Sequence, residues 1–446
     1  MEIPDVQYAR SGEVSIAYQV VGDGPTDIVF ARGFSGELLS MWEHPLLRRH
    51  VEGLAGAGRV LMLDKRGTGL SDRMREAATL EARMDDLGAV MDAAGSRRAV
   101  FWASLESARL AILFAATYPE RTSGLVLLEP WIRGRQAPDY PWAPSDEEWR
   151  RQIADVGERW GRRDFFEDLV LQWAPDAADD PEFVDWFVTH MRRGLSPGAA
   201  VALYRSIRDS DVSDVLGAVR VPTMVLFKPD ERGPAEYVAD RVAKCELLEL
   251  PRMRGIYTWI DDESHEASIA AITRFVERVG RASEPDRVLA TILFTDIVGS
   301  SAKAAELGDS AWRDLLRTHH THVRRRLAEF RGEELDVAGD GFLASFDGPG
   351  RAIRCARAIQ GDLEEIELEL RAGVHTGECE RLDAKLSGIA VHTGARIAEA
   401  AQPGEVLVSS TVKDLVAGSG LEFEERGTHE LKGVPGEWRL YAVRAA

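Results

Sequence analysis

Short apolar runs alternate with helix-length stretches twice along this chain, and GRASEPDR (280–287) divides the two series. That break constrains the fold most, because each series must bury its own apolar face. Before it, SIAYQVVG and DIVFARG read as early strands, followed by RVLMLDKRG (59–67) and a helix from about Leu80 to Ala94. AVFWA (99–103), a helix over SARLAILFAATYPERT (107–122) and the strand SGLVLLEP (123–130) continue the series. Continuous apolar strands separated by helices predict a mainly parallel sheet covered on both faces. A Trp-rich helical insertion spans about 140–210, after which VPTMVLFKPD (221–230), CELLELP (245–251) and the helix EASIAAITRFVERVG restore the pattern. The expected organisation is an α/β domain over 1–282, a linker at 283–287 and a second, α+β domain over 288–446.

A length of 446 residues agrees with two cores. The formal charge of −19 speaks against a broad nucleic-acid surface and against attraction to anionic lipid. Cys245, Cys355 and Cys379 are widely spaced and lack metal-ligand spacing, so they read as reduced thiols in a cytoplasm. The first residues, MEIPDVQYARSGEV, have no basic patch before an apolar run, and no uncharged run approaches the ~20 residues of a membrane helix. A soluble, cytoplasmic protein is expected.

In LDVAGDGFLASF (335–346), Asp340 sits between Gly339 and Gly341 at the turn of an apolar hairpin. An Asp-Gly turn needs no function by itself. Upstream, however, Asp296 ends the strand ATILF and is followed by IVGSS and a helix. A strand ending in an acid and a small-residue loop offers a cation ligand and unpaired N–H groups for phosphate oxygens. If the hairpin lies beside that strand, Asp296 and Asp340 share one or two hard divalent cations, Mg²⁺ or Mn²⁺. His319, His320 and His322 have the spacing of one helix face but no accompanying acid pattern, so they read as a solvated or dimer-contacting face. The Trp residues of the insertion read as packing.

DKRGTGLSD (64–72), FAATYPERT (114–122) and VPTMVLFKPDERGP (221–234) make the first domain resemble the α/β-hydrolase superfamily. Its Gly-x-Ser-x-Gly elbow falls on ASLES (103–107), placing Leu105 at the nucleophile, with Ala103 and Ser107 at the glycines. Leu105 has no nucleophilic atom, and the adjacent Ser104 points elsewhere in such an elbow. Asp230 matches the acid, whereas the histidine place falls in RMRG, nearest Gly255; His265, ten residues on, reads as an exposed residue near a helix start. Without nucleophile and base the triad cannot run. The resemblance implies a hydrolase fold kept as scaffold, dimerising element or sensor of a small-molecule effector.

FTDIVGSS, GDGFLASF, GIAVHTGARI and LEFEERGTHELKGVPGEWRLYAV (421–443) occur in the order found in class III nucleotidyl cyclases, which the second domain resembles, with a ferredoxin-like core. A soluble actinobacterial hydrolase–cyclase fusion is the nearest architecture. The resemblance implies a homodimer with interfacial sites. Asp296 and Asp340 match its two metal-binding aspartates; Ile297, Val298, Gly299, Ser300 and Ser301 match its phosphate loop. Arg396 matches the arginine that meets charge on the α-phosphoryl group, Lys432 a lysine near the terminal phosphates, and His392 stands where many relatives carry Asn. At the base pocket the signs are exchanged: Asp336 occupies the adenine-reading lysine's place and Lys385 the aspartate's. Asp336 accepts where lysine donates, which bears directly on ATP against GTP. The expected activity is adenylate cyclase; the alternatives are a guanylate cyclase, a catalytically weak nucleotide-binding module and, last, an esterase.

Overall fold

The computed structural model describes residues 2–34, 36–74, 78–279, 287–382 and 385–444, without the side chains of residues 287, 301, 338, 381, 382 and 385. The chain divides into two compact units, Met1–Pro285 and Asp286–Ala446. Of the linker expected at 283–287, all but Arg287 lies outside the described residues. Arg287 itself is not linker, because its backbone opens the first strand of the second unit.

The first unit begins with β1 (Gln7–Ser11), β2 (Val14–Val21), β3 (Asp27–Ala31), α1 (Pro45–Ala57) and β4 (Arg59–Leu63). Then follow α2 (Leu80–Ala93), β5 (Ala99–Ser104), α3 (Ser107–Thr117) and β6 (Thr122–Leu128). The insertion supplies α4 (Asp146–Arg159), α5 (Arg163–Trp173), α6 (Pro181–Gly194) and α7 (Pro197–Asp209). β7 (Thr223–Phe227), α8 (Arg232–Ala239), β8 (Cys245–Glu249) and α9 (Asp262–Val279) complete the unit. The strands run in the order β1-β2-β4-β3-β5-β6-β7-β8. All pairs from β4 to β8 are parallel, and β1 and β2 are antiparallel additions at one edge.

The sequence reading placed β5 and β6 well because every residue of both is buried. It missed β1 and α1. Only Ala9 and Ser11 of β1 are buried, and α1 dilutes its core residues Leu47, Val51 and Leu54 with arginines and glycines. The expected helix over 107–122 stops at Thr117, because Pro119 cannot follow in a helix and a 3₁₀ turn takes its place. In the insertion Trp149, Trp160, Trp173 and Trp186 are buried, as the packing reading expects, whereas Trp142 is exposed. Helix α4 starts on a capping box in which Ser145 and Glu148 satisfy each other's backbone N–H, worth about 1 kcal/mol.

The second unit runs β9 (Arg287–Ile297), α10 (Ser300–Leu307), α11 (Asp309–Glu329), β10 (Glu333–Ala338), β11 (Gly341–Phe346) and α12 (Pro349–Glu364). After these come β12 (Leu370–Leu382), β13 (Lys385–Ser387), α13 (Ile389–Ala400), β14 (Val406–Ser409), α14 (Ser410–Leu415), β15 (Phe423–Glu430) and β16 (Glu437–Val443). The sheet order is β10-β11-β9-β12-β14-β16-β15, with β13 paired to β12. Helix α13 lies so close to β12 that a Cβ on Gly373 would stand 2.2 Å from the Ala398 nitrogen. Among the described residues no helix is long and apolar enough to cross a membrane. None of the three cysteines forms a disulfide among the described residues, and Cys355 and Cys379 are buried.

Candidate active site and a closed hydrolase pocket

Central β9 positions the two aspartates. Its last residues pair with β11 on one side, Thr295 opposite Phe342, and with β12 on the other, Asp296 opposite Arg371. The β10–β11 turn therefore arrives at the end of β9. There Asp340 Oδ2 accepts a hydrogen bond from Ile297 N–H at 3.3 Å, the residue directly after Asp296. Gly339 takes φ 66°, a left-handed conformation that leaves Asp340 unstrained at the turn.

Arg371 grips Asp296 through Nε and Nη2 at 3.0 and 2.5 Å, both bonds falling on Oδ2. Asp296 Oδ1 is left outside that fork, so a hard cation can be accepted there beside Asp340. Among the described residues no group of three or more His, Cys, Asp or Glu side chains gathers as a metal site. The aspartates fit a cation whose remaining ligands come from a phosphorylated substrate. Beyond them Gly299 turns with φ 66° and caps α10 with no side-chain hydrogen bond. The first-turn N–H groups of Ser300 and Ser301 thus remain available to an anion.

Among the described residues no hydrogen bond or ion pair joins His392, Arg396, Lys432 or Asp336 to this pair. His392 and Arg396, four apart on α13, share a helix face; His392 is exposed, and Arg396 Nη1 bonds both carboxylate oxygens of Glu399 at 2.6 and 2.7 Å. Lys432 is exposed in the β15–β16 turn. Asp336 is exposed on edge strand β10, its Oδ1 bonded to Val337 N–H. Lys385 pairs with Leu382 through the backbone at the far tip of β12, and its side chain lies outside the described residues.

Two contributors were missed. Arg371 is one; an isolated arginine in LELRAGVHTG carries no motif by itself. The other is His320, whose Nε2 lies 3.0 Å from the Gly339 carbonyl. Because a carbonyl only accepts, Nε2 carries the proton, and the imidazole braces the turn that presents Asp340. The solvated-face reading of the three histidines is corrected accordingly. His319 is fully buried edge-on against Phe342, and burial pushes its imidazole down to about 4. His322 meets Asp362 at 3.4 Å, beside Arg325 and Arg326.

In the first unit the elbow survives as backbone. Leu105 holds φ 52° between β5 and α3 and is buried. A left-handed leucine costs about 1–2 kcal/mol, so the turn is imposed by its surroundings. Ser104 Oγ accepts from Gly33 N–H at 3.0 Å, which fixes it away from the nucleophile place. The histidine place is shut: a Cβ on Gly255 would stand 2.0 Å from the Trp173 carbonyl oxygen. Asp230 is exposed. His265 is buried rather than exposed, packed against His50 with ring centroids 5.7 Å apart. The cavity touching Leu105 is about 50 Å³, and its one imidazole, His190, is held by Ser40 at 2.7 Å and kept neutral by burial, which lowers it to about 3.

Residues 283–445 match the family model for the adenylate and guanylate cyclase catalytic domain. The match spans nearly the whole of the second unit. The chain is 32% identical over 158 residues to a protein of Rhizobium meliloti (strain 1021) provisionally named adenylate cyclase 3, covering 33% of this chain and only 27% of that protein. It is 29% identical over 126 residues to a protein of Azorhizobium caulinodans provisionally named a carbamate hydrolase, 28% of this chain and 45% of that one. The bromoperoxidase of Bacillus anthracis superposes with a TM-score of 0.52 at 17% identity, over 61% of this chain and 100% of its own. That likeness concerns fold alone, and it agrees with an α/β-hydrolase fold in the first unit.

Proposed function

We propose that the cyclase domain converts ATP to 3′,5′-cyclic AMP and pyrophosphate, working as a homodimer, and that the hydrolase-like domain is non-catalytic and regulatory. The observation that carries this reading is the Asp340 carboxylate seated on the N–H that follows Asp296, beside an uncapped phosphate-sized loop. In the reaction the 3′-hydroxyl gives up its proton, its oxygen bonds to the α-phosphorus, and the bond to the β-phosphate oxygen breaks. Asp296 and Asp340 would hold two divalent cations, Mg²⁺ or Mn²⁺, which lower the cost of the alkoxide and of the leaving charge. The 297–301 loop orients the β- and γ-phosphates and Lys432 neutralises their far end. Arg396 meets charge growing on the α-phosphoryl oxygens, and His392 orients the ribose through one hydrogen bond. Since among the described residues Arg396 bonds only its own helix neighbour, a second subunit completing the site is consistent with this assignment.

A second reading, GTP as substrate, is favoured by Asp336: an exposed carboxylate accepts from guanine N1–H and its amino group, whereas adenine N1 needs a donor. The test is cyclic nucleotide production by the purified chain from ATP or GTP, each with Mg²⁺ or Mn²⁺, beside Asp296→Ala. Cyclic AMP is expected, reduced at least about 10²-fold by the substitution with the dimer intact. Cyclic GMP would move the assignment to a guanylate cyclase. Neither product from folded dimer would leave a nucleotide-binding module.

A further inference from the structure

A cavity of about 410 Å³ lies in the first unit between the strand ends and the lid, within the range of about 300–1,000 Å³ usual for small-molecule sites. Its walls include Trp149 of α4, Trp173 of α5, Tyr204 of α7 and Trp131, together with two buried charges, Arg109 and Glu129. None of these is a residue of the vanished triad.

Arg109, on α3, is 2% exposed. Its Nε and Nη1 donate to the carbonyls of Trp131 and Ile207, each at 2.6 Å, and its Nη2 has no partner among the described residues. The other cations lining the cavity are answered: Arg133 by Asp211 at 3.0 Å and Lys228 by Glu129 at 3.1 Å. Asp155 and Asp168 are held by Arg159. Glu106, which acts on Arg109 through space, is bonded by Lys65 at 2.7 Å. Arg109 is therefore the one cavity cation without an ion-pair partner among the described residues. A buried guanidinium bonded only to carbonyls carries a desolvation cost of several kcal/mol that an anion relieves.

We propose that this cavity binds a small apolar monocarboxylate, an aryl or medium-chain alkyl acid, with its carboxylate on Arg109 Nη2 and its body among the lid tryptophans. Glu129, ion-paired with Lys228 through Oε2, keeps its Oε1 buried with no hydrogen-bond partner among the described residues. The tryptophans supply flat apolar area and exclude water from the ion pair.

The experiment titrates the full-length protein with 4-phenylbutyrate and octanoate and with their primary amides, following tryptophan fluorescence and the thermal midpoint. The acids are expected to bind at least about tenfold more tightly than the amides, as a charge-assisted hydrogen bond requires. Arg109→Met should reduce that preference to about twofold or less while the lid still folds, since a buried cation replaced by an apolar side chain is commonly tolerated. Should Arg109→Met not fold, the acid-to-amide ratio of the wild type decides. No binding by either acid, equal binding of acids and amides, or an undiminished preference in folded Arg109→Met would each overturn the proposal.

Discussion

The turn at Leu105 in the hydrolase-like unit and the turn at Asp340 in the cyclase unit both present one residue from the end of a strand, and both contain a left-handed residue. In the first the strained position is itself the presented residue, and an apolar side chain occupies it. In the second, glycine takes the strain, and the neighbouring aspartate keeps its carboxylate turned to Ile297 N–H. The difference teaches that such a turn is set by its surroundings and does not depend on a reactive side chain at its tip. Leu105 is held at φ 52° because the parallel strands on either side of β5 and the helix that follows dictate the crossing, whatever the side chain. The second unit keeps a carboxylate at the presented position.

The largest effect that tests this contrast concerns the cyclase side. Arg396→Ala is expected to lower kcat by about 10²–10³-fold with a smaller change in KM, measured as steady-state cyclic nucleotide synthesis. An equal loss in affinity and turnover would remove Arg396 from the transition state. On the hydrolase side, Leu105→Ser should give no hydrolysis of short-chain esters above wild type, because no base reaches the elbow. Adding Gly255→His should still give none and should cost about 1–3 kcal/mol of stability through overpacking against Trp173, read from denaturant melts. Esterase activity in either variant would erase the contrast.

The smallest expected effect sharpens it. His320→Ala removes one hydrogen bond to the Gly339 carbonyl and should cost about 1 kcal/mol, with a few-fold loss of turnover and little loss of nucleotide binding. Rescue of turnover by His320→Gln, whose amide N–H can reach the same carbonyl, would separate bracing of the turn from mere packing. Unchanged turnover in His320→Ala would show that the Gly-Asp-Gly turn holds Asp340 unaided.

Much of this was legible in the chain. Strands buried on both faces, such as β5 and β6, announce themselves as unbroken apolar runs, whereas β1 and α1 bury too few residues to stand out. Asp296 and Asp340 were readable from their neighbours, a strand end and a Gly-Asp-Gly turn. His265 and His319 were misjudged because a polar side chain has no periodic signature that tells an exposed face from one packed on a partner element.

By itself the sequence determined two alternating series with a break between them, a leucine and a glycine at the elbow and at residue 255 of the first, and the acids and loop of the second. Only the tertiary structure decided what long-range packing alone can bring about. It set Arg371 opposite Asp296 through strand pairing, His320 under the turn through helix packing, and the Trp173 carbonyl against Gly255 through the lid. It also left Arg109 buried with no ion-pair partner among the described residues, since charge balance in a core depends on which residues meet in space.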